Sequence, residues 1–106
     1  MAWILVFAAG LVEVGFAFAL KESHGFTRPL PSLAVFLVGG LSLFLLSVAL
    51  RTLPVGPAYA MWTGIGAAGT MLAGIVILGE SASIAKLASG AAIIAGVLGL
   101  RLTGGE

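Results

Sequence analysis

One carboxyl group inside a long apolar run is the feature of this sequence best suited to chemistry. Glu13 lies within Ala2–Leu20, in which every other residue is apolar or glycine. As a helix across a bilayer this run is about 28 Å long, with Glu13 about 16 Å from one end and about 10 Å from the other. An ionised carboxylate at that depth is costly unless it meets water, a proton or a cation. Glu13 is therefore predicted to bind protons and cations on a path through a membrane.

The partner of Glu13 is expected to be a hydroxyl group, a proton or an external cation, since no basic residue lies at its depth in any apolar run. Ser42, near the middle of the second run, could supply the hydroxyl, although serines in membranes also bond a carbonyl of their own helix. Phe16 and Gly10 lie on the same helical face as Glu13, and Gly10 is expected to leave space beside the acid. A purely structural role for the acid, as a hydrogen-bond link to a neighbouring helix, is the alternative.

Aromatic residues of the third apolar run could form a wall beside this acid. Tyr59, Trp62 and Gly66 share one face of a helix because they are three and four residues apart. An aromatic wall beside a carboxylate suits a flat or quaternary cation, whereas the alternative is an aromatic belt at the membrane interface. Three glycines permit either a hinge or close helix packing: Gly64, Gly66 and Gly69.

The composition indicates an all-α membrane protein with four transmembrane helices. Of the 106 residues, 60% are hydrophobic and 8% are charged, whereas soluble domains carry roughly 25% charged residues. Apolar runs at about 2–20, 32–50, 57–78 and 84–103 predict a single transmembrane domain over residues 1–106. The turn-forming segment Lys21–Pro31 and two shorter connections separate these runs. The helices are therefore expected to form an up-down-up-down bundle in the lipid bilayer.

The charges that flank these runs give almost no bias in orientation. Lys21, Arg28 and Lys86 would lie on one side of the membrane, and Arg51 and Arg101 on the other. Because a clear excess of positive charge is needed to fix the orientation, the chain is expected to insert both ways and to pair as an antiparallel, dual-topology dimer.

Small residues of the fourth run could form the contact between two copies. Helices associate in lipid where small residues let their backbones approach closely. The alternative is that these are ordinary residues of an alanine-rich helix. The predicted dimer contact consists of Ala92, Gly96 and Gly99.

Several other kinds of site are not expected. The net charge of +1 gives no basic surface for nucleic acid. The chain has no cysteine, and His24 has no second histidine or acidic cluster beside it, so neither a metal site nor a cofactor is predicted. Nothing pairs a nucleophile with a base, so enzyme activity is not expected.

Motifs spread along the chain resemble those of one membrane protein family. They are AGLVEVGFAFALK (9–21), HGFTRPLPS (24–32), LPVGPAYAMWTGIGA (53–67) and LGES (78–81). They resemble the small multidrug resistance family of proton-coupled exporters, and the third is most similar to the guanidinium-exporter subtype. The resemblance extends from Trp3 to about Leu102. It implies an antiparallel homodimer in the prokaryotic inner membrane, in which two copies of Glu13 share one site and bind protons or a cationic substrate in turn.

The resemblance also implies roles for individual residues. Ser42 and Tyr59 would form hydrogen bonds with the acid, Trp62 would line the pocket, and Gly10 would pack near the site. Phe16 departs from the subtype, which usually has tryptophan at this position. Phenylalanine has no N–H group to donate to the carboxylate and leaves a wholly apolar wall.

These features together predict a proton-coupled antiporter that exports guanidinium or small substituted guanidinium ions. One alternative is an exporter of hydrophobic quaternary ammonium cations, which Phe16 favours. Another is one half of a heteromeric exporter pair. A proton-carrying ring subunit also buries a lone carboxyl group, but such proteins typically have two spans.

Overall fold

The computed structural model describes residues 2–103, which form four α-helices: α1 (Ala2–Glu22), α2 (Pro29–Ala49), α3 (Val55–Leu78) and α4 (Ile84–Thr103). The helices contain 20 to 24 residues, which makes each about 30–36 Å long at 1.5 Å per residue. All four are long and apolar enough to cross a membrane. The prediction of an all-α protein with four membrane-crossing helices is confirmed.

The two prolines before the second apolar run lie inside a helix and not in the loop that the sequence predicts. Helix α2 begins at Pro29, and both Pro29 and Pro31 lie in its first turn. The first N–H groups of a helix have no acceptor within it, so a proline there sacrifices no hydrogen bond, and its φ angle already suits the helix. The predicted loop Lys21–Pro31 is therefore reduced to residues 23–28.

Ser23 closes the connection between α1 and α2. Its side chain is fully buried, and its Oγ donates to the carbonyl oxygen of Leu20 at 2.7 Å and accepts from the N–H of Phe26 at 3.2 Å. His24, Gly25 and Phe26 have positive φ angles of 49°, 71° and 67°. This left-handed turn returns the chain so that α2 runs antiparallel to α1.

Helix α1 occupies the centre of the molecule, with α2 and α3 packed along it, while α4 packs against α3. Buried apolar residues cluster in the first half of α1, the second half of α2 and the first half of α3. The overall extents of 42 × 34 × 17 Å describe a flat molecule. The four helices therefore form a flat, open layer.

Helix α4 is attached at few positions. Gly90 and Val97 are its buried residues. Val97 packs so closely against α3 that a Cβ added at Gly64 would lie 2.5 Å from its Cγ2. At the end of α4, the guanidinium carbon of Arg101 lies 5.3 Å from the ring centroid of Trp3, a cation–π contact that links α4 to α1. The rest of α4 is available to lipid or to another chain.

Candidate cation-binding site

Glu13 lies where α1 and α3 are in close contact. A Cβ added at Gly66 would lie 2.7 Å from Cγ of Glu13. One turn further along, a Cβ added at Gly69 would lie 2.8 Å from Cγ2 of Val14. Helix α3 continues without interruption through both glycines. They allow close packing of the two helices here, and the hinge that the sequence also permits stays a prediction.

Ser42 connects α2 to both neighbouring elements of the site. Its hydroxyl oxygen lies 2.9 Å from the carbonyl oxygen of Ala9 and 3.4 Å from Oε1 of Glu13. A hydroxyl group has one hydrogen to donate, so the shorter distance favours Ala9 as its acceptor. The same oxygen accepts the indole N–H of Trp62 at 2.9 Å. The fully buried Ser42 side chain thereby joins α1, α2 and α3 beside the acid.

An open cavity of about 730 Å³ lies between α1 and α3. Glu13 lies on its wall with three aromatic side chains, Phe16, Tyr59 and Trp62. The ring centroids of Tyr59 and Trp62 are 5.4 Å apart, with the rings tilted by 52°. Lys21 is the second charged residue of the wall. The cavity volume is within the range of about 300–1,000 Å³ that is typical of small-molecule sites.

Two of the predicted site residues are placed differently from the others. Gly10 is buried against α3, where an added Cβ would lie 2.7 Å from Cγ2 of Ile65, and it does not line the cavity. Tyr59 lines the cavity, but within residues 2–103 no hydrogen bond joins it to Glu13, whose Oε1 lies 3.4 Å from the hydroxyl oxygen of Ser42. The structure therefore brings together Glu13, Ser42 and Trp62 by direct contacts, with the tilted Tyr59 ring beside that of Trp62.

The cavity wall also includes hydroxyl groups that the sequence analysis does not identify, those of Thr63 and Thr70. These residues continue the helical face of Tyr59 and Gly66 at spacings of four, three and four residues. Thr63 lies within that face and Thr70 one turn beyond Gly66, so the same helical spacing could have identified both from the sequence. Their side chains place hydroxyl groups along a wall that is otherwise mainly apolar.

The predicted dimer contact lies on the open side of α4. Ala92, Gly96 and Gly99 are all exposed in the single chain, and a Cβ added at Gly96 or Gly99 would have no neighbour within 4 Å. Since the structure contains one chain, their role between two copies stays a prediction.

The arrangement around Glu13 is suited to holding one positive charge. Its half-buried carboxyl group faces a cavity with aromatic walls. A carboxylate attracts a cation strongly where water is scarce, and aromatic faces add to that attraction. The same carboxyl group can instead take up a proton, which removes its charge.

Comparison with known proteins identifies the family. The chain matches the model of the Small Multidrug Resistance protein family over residues 1–94. It is 54% identical to the guanidinium exporter of Yersinia pseudotuberculosis over 102 residues, which cover 96% of this chain and 98% of that protein. It is 53% identical to the guanidinium exporters of Citrobacter freundii and Salmonella choleraesuis over 103 residues, which cover 97% of this chain and 98% of each relative. The resemblance seen in the motifs is thus confirmed, and this chain belongs to the Small Multidrug Resistance protein family.

Proposed function

We propose that this chain is a transporter and not an enzyme, and that it exports guanidinium or small substituted guanidinium ions in exchange for protons. One observation carries the proposal: the carboxyl group of Glu13, in the middle of a membrane-crossing helix, lies on the wall of an open cavity. Relatives that are 52–54% identical to the chain are named guanidinium exporters, which supports this cation as the substrate.

The side chains around Glu13 suit a flat cation. A carboxylate can accept two parallel N–H hydrogen bonds from a guanidinium ion. The Tyr59 and Trp62 rings lie on the same cavity wall and favour a positive charge near their faces. Because the Trp62 indole N–H is bonded to Ser42 at 2.9 Å, this ring is held in place before a substrate arrives. Phe16 adds an apolar surface that suits a substituent on the guanidinium group.

The coupling to protons depends on a single acid in the cavity wall. A carboxyl group that has taken up a proton no longer carries the charge that holds a cation. An ionised Glu13 without a partner would be costly inside the membrane. The acid therefore exchanges a cation for a proton, and the two bind in alternation.

A second, antiparallel copy of the chain is proposed to complete the site. One chain supplies cavity walls from α1 and α3 and leaves the cavity open. The partner would supply a second copy of Glu13 and a facing wall, with the contact made through Ala92, Gly96 and Gly99 of α4. Rocking of the two copies about the shared site would open it to each side of the membrane in turn.

The decisive variant is Glu13→Gln, which keeps the shape of the side chain but removes its charge and its exchangeable proton. The protein is reconstituted into liposomes that contain a pH-sensitive dye, and a guanidinium gradient is imposed. The wild-type protein is expected to move protons against guanidinium. The Glu13→Gln variant is expected to give the signal of empty liposomes.

The matched control is Glu22→Gln. Glu22 is an exposed acid of the same helix that pairs with Arg28 at 3.3 Å, and exposed ion pairs contribute little to stability. This variant is expected to transport at the wild-type rate. Wild-type transport by Glu13→Gln would show that the central acid is not the exchanging group.

Phe16 favours a second candidate substrate, a hydrophobic quaternary ammonium ion, because the ring makes this part of the wall wholly apolar. Tetraethylammonium is tested in the same liposomes. Proton movement with tetraethylammonium and none with guanidinium would replace the proposed substrate but keep the antiport. No transport of either cation by the chain alone would favour a heteromeric pair.

A further inference from the structure

The ring of Phe16 lies against the backbone of α2 at Gly39. A Cβ added at Gly39 would lie 2.8 Å from Cδ1 and 3.0 Å from Cε1 of Phe16. These distances are shorter than the separation of about 3.5–4.0 Å at which two carbon atoms attract each other best. The ring therefore occupies space that any side chain at position 39 would need.

This close contact is specific to one glycine of α2. Gly40 follows directly in the sequence, and a Cβ added there would have no neighbour within 4 Å. A Cβ added at Gly15, which precedes Phe16 in α1, would lie 3.6 Å from Cγ1 of Val38, an ordinary van der Waals distance. The lack of a side chain at position 39 thus has a local consequence that neither neighbouring glycine shares.

The Phe16 ring has a second surface, which lines the cavity together with Glu13. Phe16 is three residues after Glu13, so the two side chains are neighbours on one face of α1. The space next to the carboxyl group therefore depends on how far the ring is withdrawn toward α2.

A side chain at position 39 would displace either α2 or the ring. Helix α2 is fixed one turn away by Ser42. Its hydroxyl group donates to the carbonyl oxygen of Ala9 and accepts from the indole N–H of Trp62, both at 2.9 Å. The aromatic ring can rotate about its χ1 angle between staggered positions. A side chain at position 39 would therefore displace the Phe16 ring, and the open space into which the ring can move is the cavity.

We propose that Gly39 is a specificity-determining positioning residue: by seating Phe16 against α2, it keeps space beside Glu13 for an apolar substituent on a guanidinium ion. This inference rests on the proposed function. Unsubstituted guanidinium needs only the carboxylate and its immediate surroundings. An aryl guanidinium also needs the space from which the Phe16 ring is withdrawn.

The test compares guanidinium with phenylguanidinium in the liposome assay for four proteins: wild type, Gly39→Ala, Phe16→Ala and the double variant. Gly39→Ala is expected to lower phenylguanidinium transport about tenfold relative to guanidinium, the lower end of what a misfit group in an apolar pocket costs. The double variant is expected to show the same substrate ratio as Phe16→Ala, since no ring remains to be displaced.

Gly40→Ala is the matched control, with the same chemical change in the same helix but open space around the new methyl group. It is expected to keep the wild-type substrate ratio. An equal loss of both substrates in Gly39→Ala would overturn the inference and indicate a general packing defect. A change of ratio by Gly39→Ala that persists in the Phe16→Ala background would also overturn it.

A second measurement reads the ring position without any substrate. 4-Fluorophenylalanine is incorporated in place of Phe16, and its ¹⁹F resonance is recorded. Gly39→Ala is expected to shift this resonance, and Gly40→Ala to leave it unchanged. An unshifted resonance in Gly39→Ala would overturn the positioning role. A wild-type protein that moves neither guanidinium ion would instead overturn the proposed function. The ¹⁹F resonance would still show whether Gly39 positions the Phe16 ring.

Discussion

The single hydroxyl group of Ser42 links three helices beside the acid. It is fully buried, it accepts the Trp62 indole N–H at 2.9 Å, and it lies 2.9 Å from the carbonyl oxygen of Ala9. Its distance of 3.4 Å from Glu13 leaves the carboxyl group loosely held and turned toward the cavity. At this scale, Ser42 positions the aromatic wall more firmly than it positions the acid.

Ser42→Ala is therefore expected to act through Trp62. The indole N–H of the half-buried Trp62 would lose its acceptor, and the loss of one hydrogen bond costs about 0.5–1.5 kcal/mol. We expect apparent guanidinium affinity to fall by about tenfold, or about 1.4 kcal/mol, as the ring becomes free to move. Transport is measured as a function of guanidinium concentration.

The control for this prediction is Ser47→Ala in the same helix. Ser47 is exposed, and its hydroxyl donates to the carbonyl oxygen of Phe44 at 2.8 Å. Wild-type affinity is expected, because this bond is local to α2. Equal effects of the two substitutions would mean that the link from Ser42 to Trp62 does not support the site.

At the scale of helices, glycines set the distances between neighbours. Gly66 allows the stem of Glu13 to lie against α3, and Gly64 allows Val97 of α4 to approach the other side of the same helix. Small residues permit this kind of close approach in membranes, where burial of apolar surface does not drive helices together. Helix α3 is thus the element that connects the cavity wall to α4.

Gly66→Ala is expected to disturb the site by pushing α3 away from α1. The added Cβ would lie 2.7 Å from Cγ of Glu13, and overpacking of this kind costs about 1–3 kcal/mol. We expect guanidinium-coupled proton movement to fall by about tenfold, the equivalent of about 1.4 kcal/mol. Gly56→Ala in the first turn of α3 is the control, since a Cβ there would have no neighbour within 4 Å. If Gly66→Ala transported as well as Gly56→Ala, the close contact would be unimportant for function.

At the scale of the whole molecule, the chain is a multi-pass protein of the bacterial inner membrane. Its helices form a layer with α4 largely exposed at one side. The cavity between α1 and α3 is open, so a single copy does not enclose a bound cation. These features support the proposed second copy.

The proposed antiparallel dimer predicts that the chain inserts in both orientations. Cytoplasmic and periplasmic reporters, each fused to the C terminus, are both expected to be active because the flanking charges are nearly balanced. Arg51→Gln is the comparison variant: it leaves Arg101 alone on its side against Lys21, Arg28 and Lys86. It should favour the reporter of a single side. Activity of one reporter only, in the wild-type chain, would contradict dual topology.

The sequence by itself determined the class of the protein and its central residue. Few charges and four apolar runs of about 20 residues predict a helical membrane protein, because a run of that length crosses a bilayer as a helix, in which the backbone polar groups bond one another. A lone acid within such a run is recognisable from the sequence, because an ionised carboxyl group in the membrane is costly without a partner whichever helices pack around it. The family was also visible in the motifs around Glu13 and Trp62.

Only the tertiary structure decided which faces of the helices meet. In lipid, all sides of a helix are apolar, so the sequence pattern does not distinguish a contact face from a lipid face. The sequence therefore left open that the Ser42 hydroxyl joins the Ala9 carbonyl oxygen to the Trp62 indole N–H, and that Gly10, expected to leave space beside the acid, packs against Ile65. It also gave no sign that Phe16 lies against Gly39, because that contact depends on how α1 and α2 are rotated against each other.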